Sequence, residues 1–320
     1  MHQKIFLLFS WVLTKIVDIA DLDCIFLTYD EPNAEENWVR VRNMVPWARR
    51  VDGIKGSDAA HKAAAMASTT DRFVLIDGDN IPDIGFFSLQ LVLDDASHDC
   101  VFRWRARNNV NGLMYGNGGV SCWTRDFVMN MRTHEASEGT DETAVEFCFD
   151  PRYWAMHDCY STTYINTTDF QAWRAGFREG VKMCLIKGRR PTIPEFQQQV
   201  HQRNLDNLTI WHNIGRDVDN GIWAIAGARM GTYMTMITDW DYTQVQWFDH
   251  LADLWNTVKD RPPEQVAGTV VEDLITQLDL PIGFFHKEES DFFKKHVNQS
   301  FKNRGIMTKE IDVIRQQEGW

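Results

Sequence analysis

The 320 residues contain no C-x-x-C pair, no uninterrupted apolar run long enough to span a bilayer and no internal repeat. Basic residues are outnumbered, 33 Lys and Arg against 45 Asp and Glu. Each shortage excludes a class. Without C-x-x-C pairs or a His at zinc-finger spacing, Cys24, Cys100, Cys122, Cys148, Cys159 and Cys184 read as reduced, mostly buried thiols of a cytoplasmic protein. A net charge of -12 excludes a uniformly basic nucleic-acid coat, although a local basic channel stays open. The most apolar stretch, KIFLLFSWVLTKIV at 4 to 17, is broken by Ser10, Thr14 and Lys15. It is expected to be a packed N-terminal helix rather than an anchor or a signal, so no membrane partner is expected. What is abundant is apolar mass: 44% hydrophobic and 12% aromatic residues can bury a large core, expected as one large domain (1–243) with a C-terminal helical extension (244–320).

Apolar, β-branched runs alternate with amphipathic ones from residue 23 onward. DCIFLTYD (23 to 30) reads as a buried strand, AEENWVRVRNMV as a helix and RRVDGIKG (49 to 56) as a short strand. An alanine-rich helix capped by Ser57 or Asp58 then leads into a strand, RFVLID. This order predicts an α/β protein with a mixed, mostly parallel sheet flanked by helices, and ligands bind such sheets at the carboxyl ends of the strands. Further on, DCVFRWRAR (99 to 107) is a strand with Arg103, Arg105 and Arg107 on one face, followed by a Gly/Asn-rich loop and a short strand, VSCW. Thr124 caps one helix, and Thr168 with Gln171 has capping-box spacing at the start of another. The chain is helical after RRPTIPEF, with QVQWFDHLADLWNTVK (244 to 259) amphipathic.

The RFVLID strand ends in Asp77-Gly78-Asp79-Asn80. Carboxylates at i and i+2 of an extended segment share a face, and Gly78 lets the backbone approach whatever sits there. Two hard oxygen ligands in an open turn suit Mg²⁺ or Mn²⁺, which complete their shell with water and substrate phosphates. His157 and His212 are candidates for a third ligand.

The segment SDAAHKAAAMASTTDRFVLIDGDNIPD resembles the central signature of the GT-A nucleotide-sugar glycosyltransferases, in which an alanine-rich helix leads into a strand ending in the metal-binding D-x-D. IFLTYDEPNAEENW (25 to 38) looks like that fold's first strand and nucleotide-contacting loop, and YGNGGVSCW (115 to 123) is similar to its Gly-Gly segment at the acceptor site. The resemblance covers residues 23 to 215. NGLMYGNGG and QAWRAGFREGVKM also look like segments of bacteriophage-encoded glycosyltransferases, some of which glycosylate hydroxymethylated DNA bases; for such a protein the compartment is the host cytoplasm.

The resemblance implies a GT-A (Rossmann-like) fold and a Mn²⁺- or Mg²⁺-dependent glycosyltransferase whose donor is a nucleotide sugar, with a UDP-sugar foremost. It implies Asp79 as the direct metal ligand, Asp77 meeting metal or ribose, and Thr28, Tyr29, Asp30, Lys62 and Gly78 around the nucleotide. It places a general base after the Gly-Gly segment. The candidates are Asp141, Glu142, Glu146 and Asp150, with Asp150 preferred because VEFCFD delivers it from an apolar strand. The family's adjacent Glu-Asp pair is missing here. Acceptor contacts fall on Gly118, Gly119, Trp123, Arg103 and Arg105, and the expected acceptor is the hydroxymethyl group of a modified pyrimidine in DNA, with Trp104 or Tyr115 offering stacking surfaces. Arg107, Lys187, Arg189 and Arg190 are further candidates to clamp a diphosphate or to track a nucleic-acid backbone. The competing readings are a glycan acceptor, a nucleotidyltransferase and a non-catalytic sugar or nucleic-acid binding module. A nucleotidyltransferase needs a Gly-rich basic loop after the first strand, and TYDEPNAEEN is acidic with no glycine.

Overall fold

The computed structural model describes residues 14–115, 119–131, 152–283 and 285–296. The chain opens with β1 (Lys15–Asp18), β2 (Asp23–Thr28), α1 (Ala34–Met44), β3 (Arg49–Asp52), α2 (Ser57–Ala67) and β4 (Arg72–Asp77). A short β5 (Asn80–Pro82) follows, then β6 (Gln90–Leu93), β7 (Val101–Asn108), β8 (Met114–Tyr115), β9 (Val120–Thr124), α3 (Arg125–Asn130) and β10 (Tyr153–Thr163). The remainder is helical: α4 (Asp169–Cys184), α5 (Ile193–Gln199), α6 (Gln202–Asn213), α7 (Gly221–Ile237), α8 (Phe248–Asn256), α9 (Pro263–Gly268), α10 (Val271–Leu278) and α11 (Lys287–His296).

The main sheet runs β3-β2-β4-β9-β7-β10-β5, with β8 beside β7. It is a mixed sheet, which corrects the expectation of a mostly parallel one: β2 pairs in parallel with β3 and β4, as does β7 with β10, but the other four of the seven pairings are antiparallel. The cause is local. After β7 the chain returns through a short loop as β9, inserted antiparallel between β4 and β7, where a helical crossover would have been needed for another parallel strand. Residues 15–18 are also not helical; β1 pairs antiparallel with β6 in a separate two-stranded sheet.

Side-chain alternation on the central strands fills both faces. Phe26, Val74 and Ile76 pack with Val41 of α1 and with Val45 just after it, while Ile25, Phe73 and Leu75 pack with Ala64 and Ala65 of α2 and Phe127 of α3. Both helices end in ways the sequence suggests, except that α2 starts from Gly56 at φ 92° with no side-chain cap. Beside the sheet, α4 and α7 cross at unusually close range, and their core includes Trp173, Trp211 and Trp223 together with Trp255, Val266 and Phe285 from beyond residue 243. The C-terminal segment therefore shares its core with α4, α6 and α7.

β2 leads to β3 on one side of it, and β4 lies on the other. The two strands are parallel, but the order in which strands are added reverses between them, and the crevice outside their carboxyl ends is where open α/β sheets take ligands. The loop after Thr28 and the turn after Asp77 both open there.

Candidate functional site

The turn is pinned by backbone and side-chain hydrogen bonds. Asp77 N–H donates to Gly119 O at 2.9 Å, and Gly119 N–H donates to Asp77 Oδ2 at 3.1 Å. Asn37 Nδ2, on α1, donates to Gly78 O at 2.9 Å, and Tyr164 N–H donates to Asp79 O at 2.7 Å. Buried Asn80 accepts from Thr163 Oγ1 at 2.9 Å and donates to Asp79 Oδ1 at 2.6 Å. Two glycines make this approach feasible. A Cβ on Gly78 would stand 2.7 Å from Thr28 and 2.8 Å from Glu31, and one on Gly119, at φ 93°, would stand 2.1 Å from Asn80. The D-x-D turn and Gly119 are therefore neighbours.

Three carboxylates converge here. Burial pushes the Asp79 carboxyl up to about 7, and the charges of Asp77 and Glu31 add to the effect. Glu31 is also raised, first by burial and then by Asp77 and Asp30, against the hydrogen bond from the Tyr29 amide at 2.9 Å. Among the described residues no group of three or more His, Cys, Asp or Glu is arranged to enclose a metal ion. A half-buried carboxylate crowded by two others nevertheless fits Mg²⁺ or Mn²⁺ held by Asp79 and Asp77 and completed by phosphates and water, the open coordination these ions prefer.

The other candidates divide. Tyr29 is 42% exposed at the end of β2, a free ring face beside the turn. Asp30 precedes Glu31 on the same loop. Thr28 is buried and already committed: its hydroxyl donates to Asp52 and accepts from Arg50 Nε at 2.9 Å, so it shapes the strand end instead of facing a nucleotide. Lys62 is bonded to Asp58 at 2.7 Å, one turn back on α2.

The two histidines do not join the turn. His157 lies six residues along β10 from Thr163, the partner of Asn80, roughly 15–20 Å at strand rise. It is exposed and accepts from Arg105 Nη2 at 3.2 Å. His212 is fully buried between α6 and α7, its Nε2 3.0 Å from Thr232 Oγ1, and it is a core residue, not a ligand. Trp123 is likewise core: 0% exposed, its Nε1 donates to Ser121 at 2.7 Å and its ring meets His61 edge-on. Arg103 is buried between the rings of Trp123 and Tyr153, and Trp104 is buried against Phe86, whereas Arg105 and Arg107 are progressively more accessible. The arginine row shares a face, but only its far end reaches solvent. Tyr115 is spent on Glu179 and on Trp211, whose Nε1 donates to it at 2.7 Å. Arg189 pairs with Glu195, and Arg190 donates to the carbonyls of Thr238 and Trp240. Asp141, Glu142, Glu146, Asp150 and Gly118 lie outside the described residues.

His212 provides a stability test. Burial and the charge of Arg229 hold its imidazole down at about 3, so the native state refuses a proton that the unfolded chain accepts near 6.5. A depressed basic pKa makes stability fall as pH drops below about 6.5, by up to about 1.4 kcal/mol per unit. From pH 7 to 5, denaturant titrations should show wild type losing about 2 kcal/mol more than His212→Gln. Parallel pH curves would contradict the assignment.

Sequence reasoning passed over Glu31, Asn37, Arg174 and Arg178. Burial lowers the Arg174 guanidinium, while Asp30, Glu31 and Asp79 oppose the shift, which places this cation opposite the acidic turn. The readable signal was the spacing in QAWRAGFRE: Gln171, Arg174 and Arg178 recur on one helix face.

No protein-family model and no curated protein matches the chain. Among solved structures, HddC from Yersinia pseudotuberculosis is similar over 43% of this chain and 68% of its own, at 13% identity and a TM-score of 0.23. A likeness at that level establishes neither fold family nor activity. No helix among the described residues is long and apolar enough to cross a membrane, and the five described cysteines are free thiols.

Proposed function

We propose that the chain is a metal-dependent glycosyltransferase of GT-A type that takes its sugar from a nucleotide sugar, with a UDP-sugar foremost. The observation that carries this reading is the position of Asp77 and Asp79 at the carboxyl end of β4, facing the loop after β2 across the point where strand order reverses. Asp79 and Asp77 would hold Mn²⁺ or Mg²⁺, which neutralises charge on the departing nucleoside diphosphate. Tyr29 offers a ring for the base, and the Asp30–Glu31 loop borders the ribose. Gly119, bonded to Asp77, brings the acceptor-side loop against the donor. The acceptor hydroxyl needs a base on its far side, and Asp150 is the first candidate.

For the acceptor, the burial of Arg103, Trp104 and Trp123 removes part of the basic and aromatic surface that a DNA strand would use. Arg105 and Arg107 remain, so the hydroxymethyl group of a modified pyrimidine in DNA is the acceptor to test first. Hydroxymethylcytosine-containing and unmodified DNA are incubated with UDP-sugars and Mn²⁺, digested to nucleosides and weighed. A hexose or pentose mass on the hydroxymethylated nucleoside alone is the expected result. Donor turnover with no mass added to either DNA would reject the DNA acceptor in favour of a glycan.

A further inference from the structure

The face of α4 that carries Gln171 also carries Arg174 and Arg178, one and two helical turns further on. Gln171 Nε2 lies 3.4 Å from Tyr164 O and 3.5 Å from Asn33 Oδ1, and Tyr164 N–H holds Asp79 O. Arg174 therefore begins about 5 Å along the helix from the residue that ties α4 to the acidic turn. Both guanidinium groups are positioned by one aromatic ring from beyond residue 243: Phe248 lies 4.3 Å from the Arg174 guanidinium carbon and 5.5 Å from that of Arg178, and Phe170 covers Arg174 at 5.4 Å. Neither arginine makes an ion pair or hydrogen bond with another described residue, and Arg178 Nε is buried with no such partner.

Two half-buried guanidinium groups, four residues apart and stacked on aromatic rings, keep their donor edges for something else. Arg is suited to this, because stacking on a ring leaves its planar fork of N–H donors free for a bidentate oxyanion. We propose that Arg174 and Arg178 form a diphosphate-binding clamp beside the acidic turn, completed by Phe248 of the C-terminal segment. The ligand class is a phosphoanhydride, such as the diphosphate of a nucleotide sugar. Naming the donor's diphosphate rests on the glycosyltransferase reading, but the clamp itself is defined by the anion. It also gives the C-terminal segment a part in the site: α8 starts at Phe248, so its docking against α4 sets the arginine orientation.

The test measures binding of inorganic pyrophosphate and of UDP by calorimetry in EDTA, so that neither a metal nor the identity of the sugar enters. Wild type should bind both, and Arg174→Gln with Arg178→Gln should weaken both at least tenfold. Phe248→Ala should weaken both severalfold with both charges retained. Lys295→Gln, which removes one charge from an exposed pair with Asp291, should change nothing. Melting temperatures and circular dichroism confirm that each variant is folded; if the double Gln variant is not, Arg174→Lys with Arg178→Lys takes its place, and weakening there supports the fork geometry over charge alone. Unchanged affinity in a folded double variant, or no pyrophosphate binding by wild type, would overturn the clamp. Arg-dependent pyrophosphate binding by a protein that hydrolyses no nucleotide sugar would leave the clamp standing and reject the glycosyltransferase reading instead.

Discussion

Asp79→Asn should eliminate metal-dependent nucleotide-sugar turnover, by about 10³-fold or more, while leaving the protein folded and more stable without metal. Both halves follow from the same crowding. In the metal-free protein, Asp77, Asp79 and Glu31 share a half-buried turn in which burial and mutual repulsion hold the Asp79 carboxyl at about 7. A raised acidic pKa means that the stabilising protonated form, full below about 4, is lost as pH rises through 7. Asn keeps the size and can keep one hydrogen bond, so at pH 8 in EDTA the variant should melt several degrees above wild type. Added Mn²⁺ should raise the melting temperature of wild type and leave the variant unmoved, because only a ligand bound to the native state stabilises it. A variant that melts lower in EDTA, or that keeps wild-type turnover, would show that the turn is a surface feature with no cation role.

Gly227→Val should be the most destabilising single change, by about 3 kcal/mol or more. A Cβ at Gly227 would stand 2.0 Å from the carbonyl oxygen of Trp173, and one at Gly176 would stand 1.9 Å from that of Ala224. Gly180 and Gly231 repeat the contact one turn on, against Ala228 O and Phe177 O, both at 2.2 Å. These obstacles are backbone atoms, which cannot rotate aside, so α4 and α7 would have to separate along their whole crossing. α4 carries Gln171, Arg174 and Arg178, so the loss should extend from stability to phosphoanhydride binding. Denaturant midpoints and pyrophosphate calorimetry on the same preparation check both. A midpoint shift smaller than that of Ile210→Val, a mild core truncation, would contradict the packing account.

The first half of the molecule was legible because its signals are local. β2, α1, β3 and β4 fall where alternation and helical periodicity place them, and Thr124 and Thr168 cap the helices they precede, accepting from Phe127 and Gln171 N–H at 3.1 Å each. The capping box is only half formed, since Gln171 Oε1 accepts from Thr167 N–H rather than from Thr168. What was not legible depends on partners distant in sequence. β10, YWAMHDCYSTT, has register shifts between Ala155 and Cys159 and between Cys159 and Ser161, which disrupt the alternation that marks a strand. The antiparallel β9 was read as a strand, but its direction is set by which neighbours it lies between. Trp123 and His212 looked like site residues because aromatic and imidazole side chains serve both cores and ligands, and only packing separates the two uses. Arg174 and Arg178 were passed over for the opposite reason: in sequence they are ordinary helix-surface charges, and only the fold of α4 onto the acidic turn sets them apart.

The most direct measurement follows the donor itself. Purified protein is incubated with each common nucleotide sugar in Mn²⁺, and released nucleoside diphosphate is quantified by chromatography, in parallel with Asp79→Asn and with an EDTA control. Release of the diphosphate from one donor by wild type, absent in EDTA and in Asp79→Asn, is the predicted result. No release from any donor, or release that persists unchanged in Asp79→Asn, would contradict it.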